Sequence, residues 1–135
     1  MSQENVESFN RAVDAFDRQD FEAMLEELDA AVEWYDAVPM MLGGKTTVYR
    51  GHDGVRDLWR DLDDVWEERR VEFAEIREVG DRVLATGRLY ARGKGNGAAT
   101  ESPYCVVCGF EKDKVIRVQT YLDADEALEA AGLSE

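Results

Sequence analysis

The hydrophobic positions of this chain change period part-way along. Val6, Phe9, Val13 and Phe16 fall three and four residues apart, which predicts an amphipathic helix with one apolar stripe. Asp20 stands where an N-cap belongs, and Phe21, Met24, Leu25 and Leu28 supply the apolar face of a second helix. V-E-W-Y-D-A-V-P, residues 32–39, then alternates, so Val32, Trp34 and Asp36 share one face of a strand, and that face is expected to point inward. L-G-G-K (42–45) reads as a loop, T-T-V-Y-R (46–50) as a short strand, and H-D-G (52–54) as a helix start capped by His52 or Asp53. The helix that follows turns Val55, Leu58, Trp59, Leu62 and Trp66 inward and Arg56, Arg60, Asp61, Asp63 and Asp64 outward.

From Arg70 the period is two. Strands are predicted near 70–79, 82–92, 99–111 and 114–122, with G-D, G-K-G-N-G and K-D between them, and this turn chemistry makes the neighbours antiparallel. D-A-D-E-A-L-E-A-A-G (123–132) closes the pattern as a short helix begun by Asp123 or Asp125 and stopped by Gly132. Helices first and a long meander after them predict a single α+β domain over residues 1–135, with the helices on one face of a curved sheet. Alternation assigns the faces. Ile116, Val118, Thr120 and Leu122 point inward and Arg117, Gln119 and Tyr121 outward; Ser102, Tyr104, Val106, Cys108 and Phe110 point inward and Glu101, Cys105 and Val107 outward. Ala85 and Gly87 fall on the inner face of their strand, and small residues there are expected to leave room for a ligand.

Composition narrows the partners. Thirty acidic against sixteen basic side chains give a net charge of -14, which repels phosphate backbones and anionic lipid, so neither nucleic acid nor a membrane surface is expected to bind. No apolar run reaches membrane length and none reads as a signal peptide, which makes the cytoplasm the expected location. Arg far outnumbers Lys, a pattern that a high-GC genome or a salt-adapted host would equally produce. Cys105 and Cys108 have C-V-V-C spacing, but on a strand they face opposite ways. They are read as two buried thiols; no disulfide, metal or cofactor is expected.

Y-R-G-H-D-G-V-R-D-L-W (49–59), D-K-V-I-R-V-Q-T-Y-L-D-A-D-E-A-L-E-A-A-G-L (113–133) and A-F-D-R-Q-D-F-E-A-M-L-E-E-L (15–28) resemble the SnoaL-like branch of the nuclear-transport-factor-2-like superfamily, over nearly the whole chain. The resemblance implies a cone. Its strongly curved, mostly antiparallel sheet wraps on three helices from the N-terminal half, with a short C-terminal helix and an apolar pocket at one end, and it is usually dimeric through the sheet. The superfamily includes ketosteroid isomerases, polyketide cyclases, epoxide hydrolases and dehydratases, so the fold does not name a reaction. In the isomerase relatives a catalytic aspartate lies at about the position of Trp34, two residues before Asp36. Their two oxyanion donors fall on Ala12 and Val106, which cannot donate. Many SnoaL-like chains carry histidine where Val106 stands. A conventional isomerase site is therefore disfavoured unless Tyr104 replaces the missing donors.

Three side chains carry candidate chemistry. Asp36 is either a general base, its pKa raised by Trp34, Trp59 and an apolar wall, or a solvated carboxylate at a strand end. His52 has an ordinary pKa of about 6.5, suited to proton transfer near the pocket mouth, or serves as a cap. Tyr104 is the best inward donor, or a core tyrosine with its hydroxyl satisfied. Trp34, Trp59, Val106, Cys108, Val118 and Leu122 are expected to line the pocket. Asp123 reads as a cap, D-L-D-D-V-W-E-E-R-R (61–70) as a solvated helix face, and G-K-G-N-G as a strand connection rather than a phosphate loop. The function expected is that of a small-molecule pocket protein, acting without a cofactor as an isomerase, cyclase or hydro-lyase on an apolar oxygenated substrate. The alternative is a non-catalytic ligand-binding or dimeric interaction module with a vestigial cavity. Arg88, Tyr90, Arg117, Gln119 and Tyr121, an aromatic and arginine patch on the outer sheet face, are expected to pair two copies as a homodimer.

Overall fold

In the computed structural model, which describes residues 2–36, 47–95, 97, 99–112 and 114–130, the first apolar stripe forms α1 (Ser2–Asp17). Asp20 caps α2 (Phe21–Leu25) by accepting from the Ala23 N–H at 3.2 Å. Leu28, expected on that helix, opens β1 (Leu28–Asp36) instead. The predicted loop at 42–45 and the predicted stop at Gly132 lie outside the described residues. β2 (Thr47–Arg50) runs directly into α3 (Gly51–Val65). Neither His52 nor Asp53 caps α3. The chain reverses at Gly51, whose φ of +70° glycine adopts freely, and Arg50 holds the cap position without a side-chain bond. β3 (Trp66–Val79) starts four residues before the alternation becomes legible, because Trp66 and Arg69 pair with Gly93 and Ala91. The E-E-R-R run is thus strand rather than solvated helix, and Arg69 is buried. β4 (Arg82–Gly93), β5 (Ala99–Glu111), β6 (Lys114–Tyr121) and α4 (Ala124–Ala130) complete the described elements.

The strands form one curved sheet in the order β2-β1-β6-β5-β4-β3. Every neighbouring pair is antiparallel except β1 and β6, which run parallel one strand in from the β2 edge. The main core lies between the inner face and α1 and α3, built on Phe9, Val32, Val55, Leu58, Val83, Leu89 and Val118. Trp59 packs within it, its ring 5.5 Å from Phe16 and edge-on to Phe21 at 4.8 Å. A smaller cluster occupies the other face, where Ala127 of α4 covers Leu84, Cys105 and Val107, with Tyr121 and Leu128 at its rim. Those outward apolar residues explain why α4 crosses to the outer face rather than extending the helical layer. No helix among the described residues is long and apolar enough to cross a membrane.

Two irregularities change the expected faces. Phe110 pairs with Val115 but Gly109 with Arg117, so Ile116 is an extra residue in β6. This bulge puts Val115 in the core at 2 % exposure and leaves Ile116, expected inside, only half-buried. The small residues of β4 do not open space either. A Cβ at Gly87 would stand 2.0 Å from the Glu72 carbonyl oxygen and 2.7 Å from the Phe73 Cα, so glycine there admits the β3 backbone beside a second bulge.

Candidate functional site

A cavity of about 70 Å³ lies between α1 and the inner face of the sheet. Phe9, Ala12, Val13 and Phe16 project from α1 on one side; Trp34, Tyr104, Val106, Cys108 and Val118 project from the strands opposite. These positions follow from the helical stripe and from strand alternation, the first placing aromatics a turn apart, the second placing every other residue under them. The wall is almost wholly apolar, and Tyr104, Cys108 and Trp34 are its residues that carry a polar side-chain atom.

Behind that wall runs a row of polar groups. Asp36 is 3 % exposed, and its Oδ2 accepts from Trp34 Nε1 at 3.1 Å. Its Oδ1 accepts from Thr120 Oγ1 at 3.4 Å, and the Thr120 hydroxyl is also close enough to Tyr104 to favour the ionised form of its phenol. The sheet brings the three together: Tyr35 pairs with Gln119 across β1 and β6, and Val106 with Thr120 across β6 and β5. Asp36, Thr120 and Tyr104 therefore sit side by side or on a diagonal of the inner face. Burial pushes the Tyr104 phenol well above the ordinary tyrosine range, the Asp36 charge pushes it further, and the Thr120 bond opposes both. The phenol is neutral at any physiological pH. Burial likewise pushes the Cys108 thiol up to about 12. Both cysteines are buried and free.

Five of the side chains expected in the pocket line this cavity: Trp34, Tyr104, Val106, Cys108 and Val118. Trp59 does not, because it packs between Phe16 and Phe21, and Leu122 is half-buried against the core outside the lining. Asp36 stands behind Trp34 rather than on the cavity surface, yet at 3 % exposure it is no wet strand end. His52 stands apart. Its Nε2 lies 2.9 Å from the Leu28 carbonyl oxygen, a bond that ties the first turn of α3 to the start of β1. Sequence reasoning placed Thr120 on the inner face but gave it no role; a threonine between inward Val118 and Leu122 was the available signal. Among the described residues no group of three or more His, Cys, Asp or Glu could hold a metal ion.

Residues 9–118 match the profile of the SnoaL-like domain family. Among solved structures, an NTF2-like protein of unknown function from Burkholderia pseudomallei K96243 is similar at 25% identity and a TM-score of 0.82, covering 96% of this chain and 97% of that one. A putative SnoaL-like polyketide cyclase from Jannaschia sp. CCS1 is similar at 15% identity and a TM-score of 0.76, covering 99% of this chain and 94% of that one. A protein with a ketosteroid isomerase-like fold from Catenulispora acidiphila DSM 44928, in complex with trimethylamine, is similar at 16% identity and a TM-score of 0.75, covering 94% of this chain and 93% of that one. No curated protein sequence matches significantly.

Proposed function

The chain belongs to the SnoaL-like domain family, and on that premise we propose that its cavity binds a small apolar molecule carrying one oxygen function, which Tyr104 engages. One observation carries this reading: an apolar wall broken on its strand side by a buried phenol that is backed by Thr120 and Asp36. Apolar area recognises the body of such a ligand, and a single placed polar group fixes its orientation. Proton transfer at an oxygenated carbon is the chemistry within reach of that wall. Isomerisation, cyclisation and dehydration all belong to it, and none of them calls for a cofactor here. The trimethylamine of the Catenulispora neighbour suits the scale of this cavity better than a steroid or polyketide would.

Trp34 reports on occupancy because it lines the cavity. Small cyclic alcohols, phenols and ketones should change its fluorescence on titration, and Tyr104→Phe should weaken them by about tenfold while leaving a hydrocarbon of the same size unaffected. Equal weakening of the hydrocarbon would remove Tyr104 as the polar anchor. The small volume favours a second reading, an interaction module whose cavity admits nothing, since ligand pockets commonly span about 300–1,000 Å³. A Trp34 signal that no apolar probe moves would select it.

A further inference from the structure

A second depression, a groove where α1 ends, has a charged floor. Asp17 and Gln19 border it on one side, and residues 67–70 of β3, 90–92 of β4 and 99–101 of β5 complete the lining. Arg69 and Ala91, which pair across β3 and β4, are its buried members. The guanidiniums at the rim are occupied, Arg70 by Glu72 and Arg92 by Glu68. Arg69 is only partly so. Its Nη1 donates to Asp63 at 2.6 Å, while Nε and Nη2 are buried and find no hydrogen-bond partner among the described residues. Those two nitrogens form one edge of the guanidinium, the edge whose parallel N–H bonds a carboxylate meets with both oxygens. The bond to Asp63 and the Phe16 and Trp59 rings, 5.3 and 5.4 Å from the guanidinium carbon, hold the group in place. Buried donors without a partner are costly, and a ligand that meets the whole edge recovers that cost.

We infer that the Nε and Nη2 edge of Arg69, at the floor of this groove, binds the carboxylate of a small organic acid. Charge selects the class. Asp17, Glu67, Glu68 and Glu101 line the same groove and the chain carries a net charge of -14, which opposes a phosphate dianion more than a singly charged carboxylate. Both nitrogens are closed off from solvent, so the exposed side chains of the rim must part to admit the acid. Arg69 does not line the apolar cavity, and the inference is independent of the ligand proposed for it.

Acetate is the probe, exchanged for chloride at constant ionic strength in protein carrying isotope-labelled arginine. The Arg69 Nε–H resonance, assigned by its loss in Arg69→Met, should move along a saturable curve in the wild type. Acetate should also raise the melting temperature of the wild type, leave that of Arg69→Met unchanged, and need about tenfold higher concentration in Arg69→Lys, which keeps the charge but not the edge. Asp63→Ala keeps the edge and removes a neighbouring negative charge, so it should bind acetate more tightly than the wild type. An Arg69 resonance that responds to acetate no differently from chloride overturns the inference, as does an equal rise in melting temperature for the wild type and Arg69→Met. Stronger binding of phosphate than of acetate refutes the class of ligand. A crystal grown in acetate should show both its oxygens on Nε and Nη2, and an ordered water bridging them in its place would assign the edge to solvent and end the proposal.

Discussion

Arg69 shows what a single side chain can hide from a sequence pattern. Its side chain is 2% exposed, Nη1 donates to Asp63 at 2.6 Å, and the guanidinium lies 5.3 Å from the Phe16 ring and 5.4 Å from the Trp59 ring. Nε and Nη2 are buried without a hydrogen bond, and Asp63 is half-exposed, so the pair returns little of what burying the charge costs. Arg69→Met keeps the stem and the aromatic contact, and it should raise stability by about 1 kcal/mol in urea unfolding. Asp63→Ala strands the charge and should lower it by about 1 kcal/mol. A loss in Arg69→Met would mean that the two rings stabilise the guanidinium more than desolvation disfavours it. The pattern E-E-R-R reads as solvated surface because nothing in it marks the change from helix to strand at Trp66. Asp36 was legible as an inward carboxylate, since alternation fixes its face. Its partner was not, because Thr120 becomes its neighbour only through the parallel pairing of β1 with β6, and no local pattern states which strands will meet.

Elements meet in this fold at points where a side chain or its absence sets the spacing. Gly87 lets β3 come within the radius of a methyl group, so Gly87→Ala should cost about 2–3 kcal/mol by thermal unfolding, although alanine suits a strand as well as glycine does. A cost near zero would mean that the bulge at Phe73 yields freely. Glu27, between α2 and β1, holds α1 down by accepting from Ser8 Oγ at 2.8 Å and from Arg11 Nε at 3.0 Å and Nη2 at 3.1 Å. Burial raises its pKa, but the bonds from Arg11 and Ser8 outweigh burial, and the carboxyl is held below its ordinary range. A lowered folded pKa contributes stability that is present above the unfolded value and lost as pH falls through the folded one. Glu27→Gln should thus be less stable than the wild type by about 1 kcal/mol at pH 7, and the gap should close as pH falls below about 4. A gap that persists in acid would assign Glu27 a packing role. The elements themselves were legible, because each keeps one period over many residues; the bulge at Ile116 was not, because one inserted residue leaves the composition of a strand unchanged.

At the scale of the molecule, a net charge of -14 sits on one small domain. Its ion pairs are mostly exposed, so screening removes more repulsion than attraction. Raising potassium chloride from about 0.05 to 1 M should raise the melting temperature by several degrees, and a fall would show that the exposed pairs dominate. The outer face offers Arg88 bonded to Glu101, Tyr90 under Arg70 at 4.4 Å, and Arg117 over Tyr35 at 4.5 Å with its Nη2 donating to Gln119. We propose that this patch pairs two copies beside α4, where Tyr121 is already half-buried against the helix. Sedimentation in moderate salt should give about twice the 15.3 kDa chain mass, and the monomer mass at micromolar concentration would exclude it. The parallel pair β1 and β6 also constrains the order of assembly. β1 can meet β6 only once Val115 to Gln119 have been made, so an emerging chain carries β1 unpaired on that side until β6 has left the ribosome. Closing so long a loop is slow, and the hydrophobic face of β1 spends that interval open to other chains.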